Sequence, residues 1–247
     1  MNNVYIYEHT LASKRYQKTL ERLETRLTDL GLSGKIYRLA PMTRVEEIVR
    51  DEIRKKSKTI VAVGSDLLIS RVASLMAQSD IPLAIIPIGE NSICATSLGI
   101  DSENACRILA ARRIVTLDLG KTNTGSIFLS QISVTASNPV ILIDKEITAR
   151  TEGSTNIQVV NVLPDEFGYR GPVASPEDGR LNAYILKTQS GFLKKDISQS
   201  SFVCQCLEFV SGPYKAILDG GLETAGIKEI TVLPKALSVI VGKERKF

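Results

Sequence analysis

Apolar positions in the first half of the chain follow two alternating rhythms. Short apolar runs at Val4 to Tyr7, Lys35 to Leu39, Thr59 to Val63 and Pro82 to Pro87 read as buried strands. Between them the spacing becomes helical. Tyr16, Leu20, Leu23, Leu27 and Leu30 share one face, and Gly31 follows as a C-cap. Val45, Ile48, Val49 and Ile53 share another, behind Thr43-Arg44-Val45-Glu46, which reads as a capping box. Leu68, Val72, Leu75 and Met76 follow Gly64-Ser65-Asp66 in the same way. A short helix leads to Leu98-Gly99-Ile100, and Asp101 opens one more through Cys106, Ile108 and Leu109, ending near Arg112. This alternation predicts a doubly wound, three-layer α/β domain over residues 1–112.

From Arg113 the rhythm changes. Ile114 to Leu119, Ser126 to Val134, Val140 to Ile143, Ile157 to Val162, Leu181 to Thr188 and Ser201 to Val210 are strand-like, separated by clusters of Gly, Pro, Asn, Asp and Ser. No long helix pattern lies among them. Residues 113–247 are therefore expected to form an antiparallel β-sandwich domain.

Two strands of the first domain end in polar, glycine-containing turns that open helices: Gly64-Ser65-Asp66, and Gly89-Glu90-Asn91-Ser92. Parallel strands carry such turns at one sheet edge. Backbone N–H groups at a helix start attract phosphate, and glycine admits a ligand close to the chain. Gly64, Ser65, Asp66, Gly89, Glu90 and Asn91 are thus the expected nucleotide-binding residues. Glu90 puts a negative charge where a phosphate would sit.

Charge and cysteine content narrow the function classes. A net charge of +4 is too small for a dedicated nucleic-acid binder, but it suits an anionic ligand or membrane surface. No apolar run reaches transmembrane length, and the first residues start a strand rather than a signal peptide, so a cytoplasmic protein is expected. His9 is the sole histidine, which argues against a Ser-His-Asp triad or a His-rich metal site. Cys204 and Cys206 are expected on one face of a strand as buried, reduced thiols rather than zinc ligands. The basic residues of the first helix, Lys14, Arg15, Lys18, Arg22 and Arg26, read as a solvated face, with a membrane-facing patch as the sharper alternative.

The ordered landmarks resemble the diacylglycerol kinase catalytic-domain family, in particular the bacterial soluble lipid kinases. The family's Gly-Gly-Asp-Gly-Thr is Gly64-Ser65-Asp66-Leu67-Leu68 here. Its Pro-x-Gly-Thr-x-Asn-Asp-x-Ala-x-x-Leu-Gly is Pro87-Ile88-Gly89-Glu90-Asn91-Ser92-Ile93-Cys94-Ala95-Thr96-Ser97-Leu98-Gly99. The family's Asn-Pro-x-x-Gly loop after the first strand is replaced by Glu8-His9-Thr10-Leu11-Ala12. Downstream, Asn161, Ala174 to Asn182, Leu218-Asp219-Gly220-Gly221 and Ile230 to Leu237 resemble further family landmarks in order. The stretch between Val134 and Ile157 is shorter than the family's usual insertion, which implies a smaller cleft.

The resemblance implies ATP-dependent phosphoryl transfer to a lipid hydroxyl, with ATP and Mg²⁺ as cofactors. Asp66 would help hold the metal and phosphate, and Asp178 would be the base that deprotonates the acceptor. The plain structural alternatives are a helix N-cap for Asp66 and a turn residue for Asp178. Lost motif residues keep two other readings open: a catalytically inactive nucleotide- or lipid-binding descendant, and a relative of the NAD kinases with a soluble acceptor. Expected partners are a nucleotide and a lipid or other small hydroxyl-bearing acceptor, with at most peripheral membrane contact, no nucleic acid, and scope for a homodimer.

Overall fold

A computed structural model describes residues 2–89, 92–162, 170, 175–190 and 195–247, with side chains at 188–190 and 195–197 left aside. Glu90 and Asn91, two of the expected nucleotide-binding residues, lie outside the described residues, as does most of Pro164 to Ala174.

The chain divides into two units, 1–117 with 236–247, and 118–235. In the first, β1 (Asn3–Tyr7), β2 (Gly34–Arg38), β3 (Thr59–Gly64) and β4 (Ser79–Pro87) form a parallel sheet in the order β2-β1-β3-β4. Every residue of β1 and β3 is buried, as expected for strands covered on both faces. Two 3₁₀ turns, His9–Ala12 and Lys14–Tyr16, lead into α1 (Gln17–Asp29). The helices α2 (Val45–Arg54), α3 (Asp66–Leu75), α4 (Ile93–Ser97) and α5 (Ala105–Ala111) follow in their predicted places. α1 packs beside α5 and α2 beside α3, the pairing that right-handed crossovers on two faces produce.

The expected capping box at α2 does not form. The helix starts after Arg44 with no side-chain cap, and Thr43 Oγ1 instead accepts the Ala40 amide at 2.9 Å. Glu46 is drawn away by Arg71, whose Nε donates to its carboxylate at 2.8 Å. Two charged N–H groups of the Arg71 guanidinium, both on Glu46 Oε1, outcompete the single backbone N–H that a capping box offers.

The second unit is all-β among its described residues. It begins within β5 (Ile114–Thr122) and holds β6 (Ile127–Phe128), β7 (Gln131–Ser137), β8 (Val140–Ile143), β9 (Ile147–Arg150), β10 (Ser154–Val160), β11 (Leu181–Ser190) and β12 (Lys195–Cys204). β13 (Cys206–Phe209), β14 (Tyr214–Leu218), β15 (Leu222–Ile227) and the start of β16 (Glu229–Ile240) complete it. One antiparallel sheet has the order β12-β11-β10-β7-β14-β15, and a second layer runs β16-β13-β8-β9. Ile132, Val134, Ile157 and Ala183 from the first layer meet Ile141, Ile143, Leu207 and Ile230 from the second in one core. This is the sandwich the alternation predicts.

Three boundaries are corrected. The division at 112/113 moves to 117/118, and residues 236–247 belong to the first unit, because Leu237 and Val239 pair in parallel with Ser79 and Leu83 of β4. The run Ser126 to Val134 breaks at Leu129-Ser130, where the Asp219 carboxylate accepts the amides of Leu129, Ser130 and Gln131 at 2.7–3.0 Å. The run Ser201 to Val210 breaks at Gln205, so Cys204 and Cys206 stand on different strands. There the Asp144 carboxylate takes the amides of Gln205 and Cys206, each at 2.8 Å. Cys204 is fully buried in the core and Cys206 half-buried; both are free thiols.

Candidate functional site

The candidate site is the pair of turns at the carboxyl ends of β3 and β4. β3 ends on Gly64 at φ +153°, packed so tightly that a Cβ there would lie 2.7 Å from the Glu8 side chain. Only glycine fits. Ser65 is the N-cap of α3, though its hydroxyl does not cap that helix. Instead, the Ser65 amide donates to Glu8 Oε2 at 2.9 Å, and its hydroxyl donates to Glu8 Oε1 at 2.8 Å. Glu8 itself is anchored at the end of β1 by its amide, which donates to the Val63 carbonyl at 3.0 Å.

Asp66 is the first residue of α3, and its carboxylate does not cap α3 either. It reaches across to the β4 turn, where it accepts the Ser92 hydroxyl, the Ile93 amide at 2.8 Å and the Cys94 amide at 3.4 Å. Ser92 Oγ in turn accepts the Ala95 amide at 3.0 Å as the N-cap of α4. The structure therefore brings Gly64, Ser65 and Asp66 together with Ser92 and Ile93 and ties the two turns to each other. Gly89 lies exposed at the mouth of a small cleft of about 120 Å³ that Ser92, Thr96 and Asp101 also line. That volume is well below the few hundred Å³ of typical small-molecule sites.

Asp178 belongs to the second unit. Its Oδ2 accepts the Ser175 amide at 3.0 Å and its Oδ1 the Arg180 amide at 2.9 Å, so both oxygens hold the turn that carries it. That turn is fastened by Asp118, a fully buried carboxylate that accepts the Gly179 amide at 2.6 Å and the Lys235 amide at 2.7 Å. Asn161, also buried, donates through Nδ2 to the carbonyls of Asp118 at 2.7 Å and Leu129 at 2.9 Å.

Glu8 and Asp118 carry no weight in a reading by motif, yet each had a signal. Glu8 is the acid directly after a buried strand, at the ligand edge. Asp118 interrupts the apolar pair Leu117 and Leu119. A buried acid in such a place has to find donors.

Comparison with known proteins adds the family. The diacylglycerol kinase catalytic domain matches over residues 4–122. Those residues belong to the diacylglycerol kinase catalytic-domain family. A diacylglycerol kinase from Bacillus anthracis str. Sterne superposes with a TM-score of 0.77 at 16% identity, covering 99% of this chain and 98% of its own. Another structure from that organism, assigned to the same kinase class, gives a TM-score of 0.81 at 14% identity, with 99% and 98% covered. At such identities the likeness shows the fold. No curated protein sequence matches the chain. Set beside the family's motifs, this diacylglycerol kinase-type domain keeps one glycine in each turn, Gly64 and Gly89, and replaces the first motif's other two glycines with Ser65 and Leu67.

Proposed function

We propose that the chain is a diacylglycerol-kinase-type protein in which ATP-dependent phosphoryl transfer to a lipid hydroxyl is impaired. The observation that carries this reading is the Glu8 carboxylate on the Ser65 amide and hydroxyl. The family's first loop offers its donors to nucleotide phosphate; here an internal carboxylate has taken them. A phosphate oxygen brought within 4 Å of that carboxylate meets a repulsion of about 4 kcal/mol at a surface-like dielectric. Glu8 has to swing out before phosphates can enter.

The metal fares no better. Asp66 would be the Mg²⁺ ligand, but its two oxygens face the Ser92 hydroxyl and the Ile93 and Cys94 amides. A cation would have to displace those donors. Asp178, the expected base, spends both oxygens on backbone amides.

Calorimetric titration with Mg·ATP tests the proposal. The natural chain is expected to show no saturation below millimolar ATP, and Glu8→Asn to bind about tenfold more tightly or better. Micromolar binding by the natural chain, with turnover on diacylglycerol, would overturn it and restore the active lipid kinase. Turnover only on an acceptor without acyl chains would favour the NAD kinase-like reading.

A further inference from the structure

A second cavity opens on the other side of β4 from α3, between α1 and α5. It has a volume of about 470 Å³, within the range of small-molecule sites. Three guanidinium groups line it: Arg22 and Arg26 from α1 and Arg107 from α5. Its floor is apolar, made by Leu23, Ile86 and Pro87, all buried.

The charges here are arranged for a ligand rather than for the fold. Arg22 and Arg26 stand four residues apart on one helix face, where like charges repel. Among the described residues, the guanidinium groups of these two and of Arg107 form no hydrogen bond or ion pair. Elsewhere in this unit arginines do find carboxylates: Arg38 meets Glu24 at 2.6 Å, and Arg71 meets Glu46. Glu103 is the one acid on the cavity wall, leaving the lining net positive. Three guanidinium groups with no partner among the described residues, set over an apolar floor, suit an anion with several in-plane oxygens joined to a less polar body.

From this lining we propose a binding site for a phosphate-bearing molecule, a phosphomonoester or diphosphate whose non-phosphate portion rests on Leu23 and Pro87. The cavity shares Pro87 and Ser102 with the small cleft at Gly89, but its guanidinium groups come from α1 and α5, and the proposal stands whether or not the chain transfers phosphate. The phosphate can come from a soluble metabolite or from a lipid headgroup.

Inorganic pyrophosphate, titrated calorimetrically into the 247-residue chain at low salt without metal, is the first probe. Saturable binding is expected, weakened about tenfold or more in Arg22→Gln/Arg107→Gln and partly in each single variant. The three side chains are exposed, so the melting temperature should hold. No binding at several millimolar pyrophosphate, or an affinity that the arginine substitutions leave unchanged, overturns the site. Vesicles of phosphatidylcholine with phosphatidate then identify the source. Sedimentation with vesicles that pyrophosphate competes away, and that the same substitutions abolish, makes it a lipid headgroup. Pyrophosphate binding without vesicle binding makes it a soluble phosphate.

Discussion

At Ser65 a backbone amide and a hydroxyl converge on one carboxylate, and backbone amides likewise satisfy three further acids at turns. Glu8 takes Ser65; Asp66 takes Ile93; Asp178 takes Ser175 and Arg180; Asp118 takes Gly179 and Lys235. Each is an acid satisfied by backbone donors, an arrangement that stabilises turns. Asp66→Ala should therefore cost stability as well as ligand. Removing its carboxylate strips the Ile93 amide and the Ser92 hydroxyl of their partner, a loss of about 2 kcal/mol that urea denaturation would register. An unchanged midpoint would show that the bridge between the turns contributes nothing to the fold. At this scale the sequence made Gly64, Ser65 and Asp66 legible, because glycine beside an acid at a strand end has few other uses. It did not reveal which acid faces which donor. Glu8 lies far from Ser65 in sequence, and only the parallel pairing of β1 with β3 brings them together.

Among the elements, α2 offers the clearest pH signature. Its Glu52 is buried, which by itself pushes the carboxyl up. Hydrogen bonds from Tyr37 at 2.6 Å, Ser57 at 2.7 Å and Lys55 at 3.3 Å, with the Lys55 charge, outweigh burial and hold it at about 2. A carboxyl depressed in the folded state stabilises above its unfolded value near 4.5, and that contribution drains away as pH falls toward 2. Denaturation midpoints of the natural chain should decline across that window. In Glu52→Gln the decline should flatten, and neutral-pH stability should drop by about 2 kcal/mol. Equal acid sensitivity in both proteins would refute the assignment. The strands and helices of the first unit were readable because each carries a buried face with its own period. β9, β14 and β15 were not, because they are short and alternate apolar residues with exposed Lys, Glu and Thr. Breaks such as the one at Leu129-Ser130 were illegible for a different reason: their cause, Asp219, arrives from a distant turn.

At the scale of the whole molecule, a boundary read from pattern assumes that a domain is continuous in sequence, and here the first unit is not. Ala236, Leu237, Val239, Ile240 and Val241 are all buried in it. Beyond them the Gly242 amide donates to the Leu98 carbonyl at 2.9 Å, and a Cβ on Gly242 would lie 2.1 Å from the Gly99 oxygen. Ending the chain at Lys235 removes four large buried side chains, on the order of 8 kcal/mol of apolar burial and comparable to the whole stability of a typical domain. The shortened protein is expected to lose its cooperative melting transition. A sharp melt at the natural temperature would show that the returning strand is dispensable.

That return sets an order of events during synthesis. The ribosome releases β1 to β4 and the two glycine turns first, and the strand that shields β4 emerges only after the whole of the second unit has followed. Until then β4 offers an open edge of unpaired amides and apolar side chains, the kind of surface that chaperones hold and that pairs wrongly with neighbours. The sandwich, contiguous in sequence, can close first, and the first unit matures only once residues 236–247 have emerged.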